Sequence, residues 1–164
     1  PGAEVGINIA PGHLHAESFK DDMRTFKALL PPDYFQIVLE ITERDMLNHR
    51  EANTLFEWLH NEGFEIAIDD FGTGYASYAR LKSVDADILK IDGDFIRNIV
   101  NNSLDYQIVA SICHLARMKK MLVVAEYVET EEIRSAVHAL GIDYVQGYLI
   151  GRPAPLESLL ETEA

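Results

Sequence analysis

Ile66-Ala67-Ile68-Asp69-Asp70-Phe71-Gly72-Thr73-Gly74 decides how this chain is read. An apolar, β-branched run enters two adjacent carboxylates and then a glycine loop. Tyr75 to Leu81 follows and reads as a helix start. Two like charges side by side raise each other's pKa unless positive charge lies between them. A divalent cation with oxygen ligands would supply that charge. A plain turn accounts for the same residues, because Asp and Gly form turns and Asp caps helices. On this stretch alone both readings stand open.

Outward from it, strand-like and helix-like segments alternate. Upstream, Val5 to Ile9 is β-rich and breaks at Pro11-Gly12, and Asn8 lies inside it. His13 and His15 follow without a third ligand nearby and read as surface histidines. Helical spacing runs from Ser18 to Leu30 and stops at Pro31-Pro32. Tyr34 to Ile41 is the second strand, with Glu40 inside its apolar run. A lone glutamate there costs several kcal/mol if buried, charged and unpaired. Thr42 or Asp45 caps a helix that contains Leu47 and reaches about His60, and Asn61-Glu62-Gly63 closes it. Phe64 to Asp70 is the third strand.

Downstream, a short helix at Tyr78 to Leu81 leads to a fourth strand, Ala86 to Asp92. Lys90 and Asp92 are two apart and share a face. Helical segments at Asp94 to Val100 and Leu104 to Met118 precede the fifth strand, Met121 to Glu126. A helix from Thr130 to Leu140 ends at Gly141. Ile142 to Gly147 is the sixth strand, and Leu156 to Leu160 a last short helix. Alternation of this kind predicts an α/β fold, a parallel sheet with helices outside. Continuous apolar runs suit strands buried on both faces.

Composition limits the function classes. The chain has 164 residues, about one domain; 48% are hydrophobic and 25% charged, as in a globular protein. Its formal net charge of -13 repels polymeric nucleic acid and anionic lipid, so no nucleic-acid polymer and no membrane contact is expected of this segment. An anionic ligand needs a local remedy, either bound cations or a basic cluster. The single cysteine, Cys113, lies in an apolar helical pattern and reads as a core thiol. The start at Pro1, almost directly in a strand, reads as a piece of something longer.

The polar residues at or near the strand C-termini are Asn8, Glu40, Asp69 with Asp70, Lys90, Glu126 and Gln146. Sites of parallel α/β proteins are built at those ends. Any one of these residues has an explanation as a cap or turn, but the whole series does not. Asn, Glu and Asp are hard oxygen donors suited to Mg²⁺ or Mn²⁺. Lys90 is a cation among carboxylates, fit to pair with one of them or to hold an oxygen of substrate or attacking water. Carboxylate-bridged metal pairs favour phosphoester hydrolysis, because they stabilise both the attacking and the leaving oxygen.

At these residues the chain resembles the EAL domain family of cyclic-di-GMP-specific phosphodiesterases. The resemblance rests on Ile7-Asn8-Ile9, Glu40-Ile41-Thr42-Glu43, Asp69 to Tyr75, Leu89-Lys90-Ile91-Asp92, Val124-Ala125-Glu126 with Val128-Glu129-Thr130, and Gln146 to Leu149 with Gly151-Arg152-Pro153. It implies a TIM-like (β/α)₈ barrel with one strand reversed. It implies hydrolysis of cyclic-di-GMP to linear pGpG with two Mg²⁺ or Mn²⁺ ions, in bacterial second-messenger signalling. Asn8, Glu40, Asp69, Asp70 and Glu129 would be metal ligands, and Lys90 and Glu126 the catalytic pair. Glu43, Asp92 and Gln146 would support them. Phe71, Gly72, Thr73 and Gly74 would form a loop braced by Glu43 and associated with dimerisation. A homodimer, N-terminal sensory or regulatory domains, and a cytoplasmic location (even within a membrane-anchored parent) are implied as well.

Two departures bear on this expectation. The Glu-Ala-Leu motif that names the family is absent, and about six β/α units are visible where eight are expected. Residues 1–164 therefore read as a partial EAL domain that lacks the N-terminal strands, short of the roughly 250 residues of a typical barrel. The second departure is Tyr127, where the family has Gly between Glu126 and Val128. A Gly there serves φ > 0 or a close approach, so Tyr127 is expected to shift Glu126 or narrow the pocket. The rival readings are a catalytically degenerate EAL domain acting as a cyclic-di-GMP-binding or protein-interaction module, and a metal-free glycosidase with paired carboxylates. The glycosidase leaves Asn8, Lys90 and the adjacent Asp pair without a role.

Overall fold

The structure, a computed structural model, describes residues 3–30, 35–43, 49–72 and 78–155. Among expected features, Pro31-Pro32, Tyr34, Asp45, Leu47, the loop residues Thr73 and Gly74, and the helix at 156–160 lie outside the described residues. Six parallel strands form one sheet in sequential order. They are β1 (Ala3–Asn8), β2 (Phe35–Thr42), β3 (Glu65–Phe71), β4 (Ile88–Ile91), β5 (Leu122–Ala125) and β6 (Tyr144–Val145). Helices α1 (Pro11–Leu14) and α2 (Phe19–Leu29) connect β1 to β2. Helix α3 (His49–Asn61) leads to β3, α4 (Tyr78–Ser83) to β4, α5 (Gly93–Asn98) and α6 (Ser103–Met118) to β5, and α7 (Glu131–Ala139) to β6. The expected alternation holds. Among the described residues no helix is long and apolar enough to cross a membrane.

Strand alternation divides the apolar residues into two layers. Leu39, Ile41, Ile66, Ile68, Leu89, Ile91, Val123 and Ala125 point to the helices and are buried with Phe19, Phe56, Leu59, Ile96, Val109 and Val137. The opposite face carries a smaller layer, Val38, Ala67 and Ile88, with Val124 packed against it. The next inward positions toward the C-terminal ends are Glu40, Asp69, Lys90 and Glu126. The polar residues thus continue an apolar layer, as side chains stack in layers inside a parallel barrel.

Two expected strands are shorter because polar groups at their ends make other bonds. At the start of β4, Asp87 Oδ2 accepts from Ile66 N and pairs with His60 Nε2, both at 2.8 Å. Asp87 N in turn donates to Ile66 O. Asp143 repeats the arrangement before β6: its Oδ2 accepts from Val123 N at 2.8 Å and its N donates to Val123 O. Pro11, expected only to break β1, also opens α1 at its first turn, where its fixed φ suits a helix.

Helix α4 is too short to hold itself. Lys119, just past α6, extends its ammonium to its C-terminal carbonyls: Nζ donates to Leu81 O at 3.1 Å, Lys82 O at 3.2 Å and Val84 O. Asn53 Nδ2 of α3 donates to Ser83 O at 2.7 Å. These bonds satisfy carbonyls that a helix end leaves open. Burial lowers the Lys119 pKa, partly offset by Asp85. Lys119→Met is expected to lower unfolding free energy in urea by about 1–3 kcal/mol and to speed amide exchange over 81–84. Unchanged exchange there would show that the ammonium does not hold the helix end.

Candidate active site

Register brings the strand ends together. Asn8 lies opposite Glu40 in the β1–β2 ladder, and Thr42 opposite Asp69 in the β2–β3 ladder. Lys90 pairs with Val124, so Glu126 projects two residues beyond it on the same face. Gly6, in β1, makes room for Glu40: a Cβ on Gly6 would collide with Glu40 Oε1. This requirement is visible only once the strand pairing is known.

Neighbouring residues of a regular strand point to opposite faces, which would separate Asp69 from Asp70. The structure resolves this with a bulge. Ile68 pairs with Leu89 but Phe71 with Ile91, so β3 spends one residue more than β4 over the same span. The irregularity is taken at Asp70, whose φ of 54° is left-handed, and Asp70 N donates to Asp69 Oδ1 at 3.0 Å. Asp69, Asp70 and Glu126 then each offer an oxygen within 4.8 Å of the others. Beyond the bulge Phe71 returns to the core. A turn-like bulge and a convergence of three carboxylates thus occur together at this strand end.

Lys90, only 5% exposed, lies at the centre. Its Nζ is 2.7 Å from Glu40 Oε2, 2.9 Å from Asp69 Oδ1 and 3.1 Å from Glu126 Oε1, one contact for each ammonium hydrogen. Burial disfavours its charge, but the bonds to Glu40 and Asp69 and the field of Glu126 outweigh burial and hold its pKa above the usual lysine value. Burial pushes the Glu126 carboxyl up; Lys90 opposes the rise, while Asp69 and Asp70 add to it. One ammonium cannot neutralise Glu40, Asp69, Asp70 and Glu126. The net excess is negative, and the donors are all oxygen, the set that fits a hard divalent cation. Asp69, Asp70 and Glu126 are the described residues best placed to hold one.

The remaining predicted residues are spread around this centre. Asn8 is exposed at the end of β1, beside Glu40. Glu43 is 2% exposed, directly after β2. Glu129 and Gln146 are exposed and are not part of the three-carboxylate group. Gln146 acts through its backbone, with N donating to Ala125 O and O accepting from Val128 N. Asp92, expected to face the site with Lys90, caps α5 through Oδ1 and Asp94 N at 2.7 Å. Phe71 and Gly72 open the loop, Gly72 with φ 109°. Tyr127 has φ 53°, the left-handed conformation foreseen for a Gly, which for an L-residue costs roughly 1–2 kcal/mol. Its ring lies against Gly93 of α5 rather than over the carboxylates.

The chain was compared with known proteins. It is 59% identical over 99% of its length to Cyclic di-GMP phosphodiesterase PdeF of Escherichia coli (strain K12), of which it spans 22%. It is 48% identical over 97% of its length to Probable cyclic di-GMP phosphodiesterase PdeN of the same organism, of which it spans 31%. Among solved structures, the PaMucR phosphodiesterase in its c-di-GMP complex superposes with a TM-score of 0.85 at 36% identity. That match covers 95% of this chain and 64% of the other. The manganese/cy-diGMP complex of Klebsiella pneumoniae BlrP1 superposes with a TM-score of 0.81 at 31% identity, covering 92% of this chain and 39% of the other. With such neighbours, the six parallel strands are one curled part of a TIM-like barrel wall. The EAL domain model matches residues 1–153, and the chain belongs to the EAL domain family.

Proposed function

We propose that this chain is part of a metal-dependent phosphodiesterase that hydrolyses cyclic-di-GMP to linear pGpG. The observation that carries this reading is the excess of oxygen-donor carboxylates converging on Lys90 at consecutive strand ends. The names of the relatives and the ligands of the structural neighbours support the same substrate. Residues 1–164 are proposed as a partial domain, whose missing strands and Glu-Ala-Leu motif come from the preceding part of a longer protein. The modest share of each relative that the chain spans supports this. A cytoplasmic location follows from the substrate. A homodimer and N-terminal sensory or regulatory domains complete the proposal.

Two Mg²⁺ or Mn²⁺ ions are proposed, held by Asp69, Asp70, Glu40, Asn8 and Glu129 together with one oxygen of Glu126. Such ions supply charge neutralisation at the phosphodiester and a more acidic bound water. The residues themselves have separable tasks. Glu126, buried and with a raised pKa, accepts the proton of the attacking water. Lys90 remains protonated and is no base; it aligns Glu40, Asp69 and Glu126. Each of its three hydrogens already meets a carboxylate, so it contacts water or a phosphoryl oxygen only when one carboxylate turns away. Water oxygen bonds to phosphorus, one phosphorus–oxygen ester bond breaks, and the departing sugar oxygen takes a proton from solvent water and leaves as a hydroxyl. Glu43 braces the loop that begins at Phe71 and Gly72, and Gln146 supports the far side.

In the full-length protein, Asp69→Asn is expected to abolish turnover of cyclic-di-GMP in Mn²⁺, measured as pGpG release. Full activity of that variant would remove Asp69 from the metal set. Tight binding of cyclic-di-GMP without any turnover by the unsubstituted protein would replace the enzyme by a binding module. Activity that survives EDTA would overturn the metal requirement.

Lys90→Met tests the electrostatics without a turnover assay. It leaves Glu40, Asp69 and Glu126 uncompensated, and removing one partner of a buried pair is strongly destabilising. The melting temperature in EDTA should drop, and Mn²⁺ should raise it by more than it raises that of the unsubstituted protein, because the cation takes over the lost charge. An equal Mn²⁺ response in both proteins would disconnect Lys90 from the cation site.

A further inference from the structure

Tyr127 joins two elements that the site depends on. Glu126 precedes it, held by its N donating to Ile91 O at 3.3 Å, and Val128 follows, fully buried, with N on Gln146 O and O receiving Leu149 N. The chain turns between these anchors at the left-handed Tyr127. Tyr127 is 46% exposed, so burial alone does not hold that conformation. Here the ring fills the space beside Gly93, where an added Cβ would overlap its Cδ2, Cγ and Cβ. The Arg97 guanidinium covers the ring, with Cζ 4.0 Å from the centroid, and Arg97 is also 3.7 Å from Asp94 Oδ1. Gly93 and Arg97 belong to α5, which begins right after Asp92, two residues past Lys90. The ring therefore ties the strand end that carries Glu126 to the helix that follows the strand carrying Lys90.

We propose that Tyr127 is a positioning residue for Glu126: its ring, clamped between Gly93 and Arg97, fixes the turn that aims the Glu126 carboxylate at Lys90 and at the cation site. The proposal rests on the phosphodiesterase reading for its kinetic consequence, but not for its structural one. Aromatic bulk is what matters here, since the contacts are made by ring carbons against Gly93 and by the Arg97 cation over the ring face. The phenol hydroxyl has no part in it. The substitution of Tyr for a family glycine is thus compensated within this chain, and the expected displacement of Glu126 is replaced by a brace.

The experiment uses the full-length protein, Mn²⁺ titration calorimetry without substrate, and steady-state hydrolysis of cyclic-di-GMP. Tyr127→Ala should weaken Mn²⁺ binding and lower kcat, each by about tenfold, as loss of a group supporting a ligand does, with KM within about twofold. Tyr127→Phe should restore both. Gly93→Ala, which pushes the ring aside without touching residue 127, should match Tyr127→Ala. The double variant should be no worse than either single one, because both break the same contact. Mn²⁺ binding and kcat unchanged in Tyr127→Ala would overturn the proposal, as would additive losses in the double variant. If Gly93→Ala does not fold, Tyr127→Ala against Tyr127→Phe decides, and equality of those two overturns it. An unsubstituted protein that binds Mn²⁺ but hydrolyses nothing defeats the phosphodiesterase reading alone, and the titration then judges Tyr127. Absence of Mn²⁺ binding overturns both.

Discussion

The ammonium of Lys90 is the one charge on which the site's geometry depends. Glu40, Asp69 and Glu126 come from three different strand ends and would repel one another without it. Burying four ionised groups is unfavourable by itself, and the attraction offsets that only when geometry is close and every hydrogen is used. Both conditions hold, with contacts of 2.7, 2.9 and 3.1 Å to one nitrogen. Such a cluster is a poor source of stability compared with an apolar layer of the same volume. The apolar layer exists directly beneath it, in Val38, Ala67 and Ile88, and the helix-side core is extensive. The fold is held by those layers, and the ionic layer is free to be shaped for chemistry.

Two backbone irregularities make that shaping possible. The bulge at Asp69-Asp70 turns neighbours that ought to diverge into converging donors. Tyr127 sets the exit of Glu126 with a second left-handed residue. Both occur directly at carboxylates of the site, whereas the described strands otherwise pair regularly. Strain kept at a site and supported by its surroundings is a known pattern. The support is visible in each case: Phe71 buried beyond the bulge, and Gly93 with Arg97 around the tyrosine ring.

Periodicity alone made the parallel sheet legible, because buried strands such as Ile37 to Ile41 are continuous apolar runs and the breaks between elements carry Gly, Pro and Asp. It also made Glu40, Lys90 and Glu126 visible as polar residues at apolar strand ends. What it could not show depends on neighbours. A bulge is a relation between two strands, so nothing within Asp69-Asp70 reveals it. Gly6 matters only because the Glu40 side chain, two residues past its ladder partner Val38, folds over it. Spacing placed Asp92 on the face of Lys90, but the strand ends at Ile91 and the next carboxylate is taken by the start of α5. Asp87 and Asp143 fall inside the expected strands, and only the structure shows each closing the first rung beside its neighbour strand.

The order of assembly follows from these contacts. A structural metal site that forms only on metal binding needs the ion to fold. Here ladder register, the bulge and Lys90 already place the carboxylates, so a cation would enter a site that exists before it arrives. Entry would have a cost, since a carboxylate oxygen that turned to the ion would no longer be held by Lys90. It would have a gain as well, because the negative excess would be relieved and an ammonium hydrogen released in this way could meet an oxygen of water or phosphate. On the proposed function, the same exchange would let a chain of net charge -13 accept an anionic diester. The repulsion of the surface would be answered locally, where positive charge is built in as Lys90 and an excess of carboxylates can draw in more.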